Sequence, residues 1–348
     1  MKVLLHADGG IGVGLGHVSR CVTISAALAR AGHQALIVVD PERKLLEHVI
    51  RQGANGKDFG ASAPDVREAA LEFGANCIVI DSYRWTTSDF RAVKGDWTVV
   101  AFDDEALREL PVDAVINGAP TAVELRYLTK VNTLLWLGPG YQIVRDDFRL
   151  IPPREHIGAV NRVIAMVGGD DLLGLLPILA RLLDVAAENG SFIADVICGP
   201  FTPIPEIHDL KNVKILRNPI DLHERMAGAD LAISAGGQTL YELARCGTPT
   251  IAFCSGPDQI HNLTALAKAN IIWNVGDAAS PYWAREVDAA ITRLIGDIGL
   301  RTAMSQAGQA LIDGLGSERL VSALESLRIE PLSSIKYSDF INRVTKFN

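Results

Sequence analysis

Short apolar runs recur along the chain and alternate with segments of helical period. Val3-Leu4-Leu5 opens the series, and comparable runs lie near 2–6, 35–39, 76–80, 97–102, 113–116 and 133–137. Each is rich in β-branched residues and bounded by glycine, proline or charge, so each is a predicted strand. The runs are continuously apolar, which predicts burial on both faces. That is the pattern of a parallel sheet covered by helices above and below. The stretch Asp146-Asp147-Phe148-Arg149-Leu150-Ile151-Pro152-Pro153-Arg154-Glu155 then interrupts the series with charge and a proline pair, as a linker does. A second series starts at Arg162-Val163-Ile164-Ala165-Met166-Val167 and continues near 193–198, 212–216, 230–234, 250–253 and 271–274. The chain therefore reads as α/β, with two Rossmann-like, doubly wound domains at 1–150 and 151–330. Residues 301–327 have a helical pattern, and 331–348 form a further segment holding an amphipathic candidate (Tyr337, Phe340, Ile341, Val344).

Length and composition narrow the function classes. At 348 residues and 48% hydrophobic content the chain can fill two cores. A formal charge of −8 argues against holding nucleic acid by general electrostatics. No apolar stretch approaches the roughly 20 residues needed to span a bilayer, and Asp8 falls too early for a secretory leader. A cytoplasmic protein is expected. Cys21, Cys77, Cys198, Cys246 and Cys254 lie far apart and form no C-x-x-C pair, while the eight histidines show no zinc-type spacing. Neither a metal nor another cofactor is expected.

In doubly wound sheets ligands bind beyond the carboxyl ends of the strands, and two facing sheets bring those ends to one cleft. The loop Gly9-Gly10-Ile11-Gly12-Val13-Gly14-Leu15-Gly16-His17 follows the first strand and opens a helix near Val18. Such a loop lets backbone N–H groups approach an anion at the positive end of the helix. A dinucleotide site competes as a reading, since Asp40 ends the second strand where a ribose-binding acid would stand. The spacing opposes it. Counting Gly12 and Gly14 as the first two glycines of G-x-G-x-x-G puts the third on His17. Histidine there points to chemistry, although a helix-start histidine tied to backbone is the plainer alternative.

Further candidates sit at the other strand ends. Asp81 and Tyr83 follow the third run, and Asp103-Asp104 follow the fourth. Paired carboxylates can share a proton or hold a sugar hydroxyl, or simply shape an acidic loop. Gly168-Gly169-Asp170 begins the second half. Ala235-Gly236-Gly237-Gln238-Thr239-Leu240-Tyr241-Glu242 joins a buried strand to a helix whose free N–H groups can receive a diphosphate. Thr239 and Glu242 could equally be a helix cap and its partner. The following strand leads into Asp258-Gln259-Ile260-His261-Asn262, whose polar side chains should reach the same cleft.

This order of motifs resembles the PseG family over about residues 1–325. It rests on Gly14-Leu15-Gly16-His17-Val18-Ser19-Arg20-Cys21, Asp81-Ser82-Tyr83, Phe102-Asp103-Asp104, Gly138-Pro139-Gly140-Tyr141, Gly168-Gly169-Asp170 and Ser234 to Glu242. PseG proteins are UDP-sugar hydrolases of pseudaminic acid biosynthesis, related to GT-B glycosyltransferases such as MurG. The resemblance implies a GT-B-like fold and metal-free cleavage of UDP-2,4-diacetamido-2,4,6-trideoxy-β-L-altropyranose to UDP and free sugar. It implies that His17 activates water and that Tyr83 and Asn262 help orient sugar and water. Gly236, Gly237 and Thr239 would hold the diphosphate and Glu242 the ribose. Gly14, Gly16 and Arg20, the strand-end Asp81 and Asp103, the Gly168-Gly169 loop, and Gln238, Asp258 and Gln259 complete the expected substrate-binding set. Two departures stand out: Ser19 replaces a usual methionine, and the Gly168-Gly169 loop lacks the usual Ser-Asp-Pro ending. A glycosyltransferase needs the same donor site and base but directs an acceptor hydroxyl at the sugar. A catalytically silent nucleotide-sugar sensor fits less well, because His17, Tyr83 and Asn262 are all present.

Overall fold

Strands that are apolar on both faces need helices above and below, and the chain supplies this arrangement twice. The computed structural model describes residues 1–10, 13–155, 157–190 and 192–329, so the amphipathic candidate near the end of the chain lies outside the described residues. The first half contains β1 (Lys2–Ala7), β2 (Gln34–Val39), β3 (Gly56–Asp58), β4 (Cys77–Asp81), β5 (Thr98–Phe102), β6 (Glu109–Leu110), β7 (Ala114–Asn117), β8 (Leu128–Thr129) and β9 (Leu134–Leu137). Seven of these form one parallel sheet in the order β3-β2-β1-β4-β5-β7-β9, while β6 and β8 pair with each other. The second half contains β10 (Arg162–Met166), β11 (Ile193–Cys198), β12 (Val213–Arg217), β13 (Leu231–Ala235), β14 (Thr250–Cys254) and β15 (Ile272–Asp277), ordered β12-β11-β10-β13-β14-β15.

Strand order fixes where a ligand can sit. In the first sheet the chain winds one way from β1 to β2 and returns to add β4 on the other side, so the winding reverses between β1 and β4. In the second sheet it reverses between β10 and β13. The loops after those four strands splay apart at each reversal and leave a crevice. Those strand ends, their loops and the helix starts beyond them carry His17, Asp81, Gly168-Gly169 and Gly236-Gly237. The strands expected from the apolar runs all form. β3 was not expected, because Gly56-Lys57-Asp58 has no apolar alternation and pairs only with β2 at the sheet edge.

The two cores divide the chain differently from a cut at 150 and 330. Val144 and Phe148 are already buried with Ile164, Met166 and Leu240 of the second half. Conversely, the helix Gly316–Ile329 returns to the first sheet, where Leu320, Val321, Ala323 and Leu324 pack with Ile24, Leu28, Trp136 and Ile143. Polar contacts on its flank join it to the first helix and the turn after it: Arg30 pairs with Glu318 at 2.9 Å and His33 hydrogen-bonds Glu325 at 2.8 Å. The two passages between halves touch. A Cβ at Gly316 would lie 2.1 Å from the Gln142 carbonyl oxygen, so only glycine lets them pass. Among the described residues no helix is long and apolar enough to cross a membrane.

Because Leu320 is fully buried in the first core, Leu320→Ala should destabilise the protein by about 2–5 kcal/mol through lost transfer energy and a residual cavity. Urea denaturation followed by circular dichroism measures it. An unchanged unfolding midpoint would mean that the returning helix does not complete that core.

Candidate active site

The first wall of the cleft is built by the helix Gly16–Arg30 and the ends of β4 and β5. The loop before the helix folds back through Gly14, whose φ of +81° suits glycine, and its N–H is given to the Gly10 carbonyl at 2.8 Å. His17 therefore starts the helix at the cleft. Its Nδ1 lies 2.7 Å from Asp81 Oδ1. Arg20, one turn on, donates from Nε to Asp81 Oδ2 and from Nη2 to Asp81 Oδ1, both at 2.6 Å, in the two-pronged geometry that guanidinium and carboxylate share. The same guanidinium reaches Asp104 Oδ2 at 3.2 Å and lies 4.1 Å from the centre of the Phe102 ring. Tyr83 closes the circuit. Its hydroxyl donates to Asp104 Oδ2 at 2.9 Å and its ring meets that of His17 edge-on, 4.6 Å between centres.

This circuit sets the proton positions. Burial would raise the Asp81 carboxyl, but Arg20 and His17 together hold it well below the usual carboxylate range. Asp81 is thus an acceptor only, so His17 Nδ1 carries the proton and neutral His17 has its lone pair on Nε2. His17 lines the cleft. Burial also pulls the imidazolium pKa down, yet the charge and hydrogen bond of Asp81 outweigh it and the net shift is upward. The charge of Asp104, then burial, raises Tyr83, which stays a phenol.

The second wall comes from the loops after β10, β13 and β14. Gly168, Gly169, Gly236, Gly237, Gln238, Thr239, Asp258, Gln259 and Asn262 all line a cleft of about 700 Å³ together with Gly14, Gly16, His17, Arg20 and Tyr83. Gln259 Oε1 accepts the Gly236 N–H at 3.0 Å, and Asn262 Nδ2 donates to the Gly236 carbonyl at 2.7 Å. The helix Thr239–Cys246 begins here. Among the described residues no hydrogen bond takes the amides of Gly237, Gln238 or Thr239, so three donors and a helix dipole face the cleft.

Several expected residues play other parts. Asp103 is buried and accepts from the Glu105 and Ala106 amides, so it shapes a turn while Asp104 lines the cleft. Asp81 lies beneath His17 and does not line the cleft. Gln238 donates its side-chain amide to the Ile143 carbonyl. Glu242 is 4% exposed, and Arg145 holds both its oxygens, at 2.5 and 2.8 Å. Asp8 and Arg84 were missed. Asp8 accepts from the Ser82 hydroxyl at 2.8 Å, the Tyr83 amide at 3.1 Å and Arg84 Nη2 at 2.8 Å, so it fixes the loop that presents Tyr83. Its position at the end of β1, immediately before the glycine loop, was the available signal. Among the described residues no group of three metal-binding side chains converges.

No family model matches the chain. It is 25% identical to the spore coat polysaccharide biosynthesis protein SpsG of Bacillus subtilis, over 94% of this chain and 98% of that protein. It is 26% identical, over 75% of its length, to a pseudaminic acid cytidylyltransferase and UDP-2,4-diacetamido-2,4,6-trideoxy-β-L-altropyranose hydrolase of Helicobacter pylori. The match spans about half of that longer relative, 46%. Among solved structures, the spinosyn forosaminyltransferase SpnP superposes with a TM-score of 0.68 at 15% identity, covering 95% of this chain and all of that one. MurG of Acinetobacter baumannii gives 0.65 at 14% identity, covering 94% and 100%. The chain has the GT-B fold.

With Asp81 as the dominant upward influence, His17 should titrate above the ordinary imidazole value of about 6.5. In Asp81→Asn the negative charge is gone while burial and Arg20 remain, so the His17 pKa should fall below that value. NMR titration of the ring protons measures both. Equal values in the two proteins would mean that Asp81 does not govern the ring.

Proposed function

We propose that this chain hydrolyses a UDP-linked 2,4-diacetamido-2,4,6-trideoxy sugar to UDP and the free sugar, a step of pseudaminic acid biosynthesis. The observation that carries the reading is the opposition of two features across one cleft. On one side is His17, which lines the cleft with its Nδ1 tied to Asp81. Facing it are the amides of Gly237, Gln238 and Thr239 at a helix start. A base opposite an anion site is what displacement of a nucleoside diphosphate requires.

In this reading His17 Nε2 takes a proton from water as the water oxygen bonds to the anomeric carbon. The bond from that carbon to the diphosphate oxygen breaks, and its electron pair leaves with UDP. The helix-start donors stabilise the charge that develops there. Arg20 keeps Asp81 ionised, and Tyr83 flanks the sugar from the first wall. Glu242, whose carboxylate Arg145 holds, braces the helix behind those donors. Gly168 and Gly169 border the sugar side of the cleft. No metal or cofactor enters the step.

Water as the nucleophile is supported by likeness to the Helicobacter protein, whose name includes a UDP-sugar hydrolase. Binding of a nucleoside diphosphate is supported by likeness to SpnG, which was solved with thymidine diphosphate (TM-score 0.66, 18% identity). The alternative, transfer of the sugar to an acceptor, is favoured by one observation: the solved structures that share the fold are described as glycosyltransferases.

Purified protein given the UDP-linked diacetamido sugar, without acceptor and with EDTA, should release UDP and free sugar, followed by NMR. Release only when an acceptor is present, with the sugar attached to it, would replace hydrolysis by transfer. His17→Ala should lower turnover by about 100- to 10,000-fold, the usual worth of positioned proton transfer. Because the base must be unprotonated, wild-type rate should be lost as pH falls through the raised His17 pKa, and that acid limb should be absent from the residual rate of the variant. Near wild-type turnover in folded His17→Ala would remove His17 from the mechanism.

A further inference from the structure

Asn262 reaches the cleft from the helix Ile260–Lys268, and two fixed neighbours decide which way its amide faces. The Gly236 carbonyl can only accept, so the group 2.7 Å from it must be the amide nitrogen. The amide oxygen then turns the other way and accepts from the hydroxyl of Tyr241. Tyr241 is 4% exposed and sits on the helix whose first-turn amides face the cleft. Burial raises its pKa, which keeps the proton on that oxygen for donation.

The amide oxygen has thus received a buried donor, and one N–H of the nitrogen is committed to Gly236. What remains is the second N–H, in the same plane, beside the turn that carries the free amides of Gly237 and Gln238. We infer that Tyr241 is a positioning residue that locks Asn262 as a hydrogen-bond donor facing the diphosphate wall of the cleft. This rests on the proposed reading for the identity of the ligand, and it goes further by giving Asn262 a direction. Asn262 supports the phosphate oxygen on which charge builds, adding a donor to the helix-start amides. The arrangement also explains why Tyr241, buried and apolar in all but one atom, spends its hydroxyl on a residue 21 positions away.

The test is calorimetric binding of UDP and of uridine, which lacks the diphosphate, to the full chain. Asn262→Ala should weaken UDP by about ten-fold, the scale of one hydrogen bond to a charged group, and leave uridine within about two-fold. Asn262→Asp, of the same shape but unable to donate and bearing negative charge, should weaken UDP further. Tyr241→Phe should weaken UDP by several-fold alone and by less than about two-fold when added to Asn262→Ala, since its effect passes through that amide. Wild-type affinity for UDP in Asn262→Asp overturns the inference. So does a Tyr241→Phe loss that is undiminished without Asn262, or a parallel loss of UDP and uridine, which would make the pair a scaffold for the turn. A wild-type protein with no affinity for UDP overturns the functional reading and this inference together. One that binds UDP but fails the variant pattern overturns the inference alone.

Discussion

The buried carboxylate of Asp81 is the constraint on which the first wall of the cleft depends. It is 1% exposed and would not persist as an anion there without compensation. Compensation comes from one helix turn, where His17 and Arg20, three residues apart, reach the same group. Because Arg20 also binds Asp104, and Asp104 binds the Tyr83 hydroxyl, a single guanidinium ties the ends of two adjacent strands to the helix. Removing Arg20 would leave buried Asp81 with only His17 beside it and Asp104 with only the Tyr83 hydroxyl. The His17 ring is therefore held by the same interactions that hold the fold locally.

The opposite wall is organised by the segment that joins the halves. Ile143 accepts from Gln238 and Arg145 grips Glu242, so the crossing chain clamps the helix whose start faces the cleft. Gln259 and Asn262 clamp the turn before it from the other side. Donors are left free at Gly237, Gln238 and Thr239 because their neighbours are so fully engaged. Rigid presentation of unsatisfied amides is what an anion site requires, since donors that had to rearrange would give back part of the gain.

The sheets were legible because a strand buried on both faces must be written as a continuous apolar run, and each run lies within one stretch of sequence. The strand-end loops were legible for the same reason. What escaped were functions decided by remote partners. Asp103 and Asp104 are neighbours in sequence, and only the fold makes the first a turn-former and the second a partner of Arg20. Glu242 carries an acid where a ribose contact was expected, but Arg145, 97 positions away, holds it. Asp8, Arg84 and Tyr241 gave no periodic signal, since each is defined by a bond to another segment. The returning helix was readable as a helix, whereas its attachment to the first sheet is made by Leu320 and Leu324 burying in a core built by residues of the first half.

The contact between Gln142 and Gly316 has a mechanical consequence. Two covalent passages spaced apart would act as a double strut and hold the halves at a set angle. Passages that lie against each other, with Arg319 also donating to the Gly140 carbonyl at 3.1 Å, set a common axis instead. Rocking about it changes the width of the cleft mouth while hardly displacing the axis itself, and sliding or separation is resisted by both chains at once. Any rocking of one half on the other would therefore have to turn about these adjoining passages.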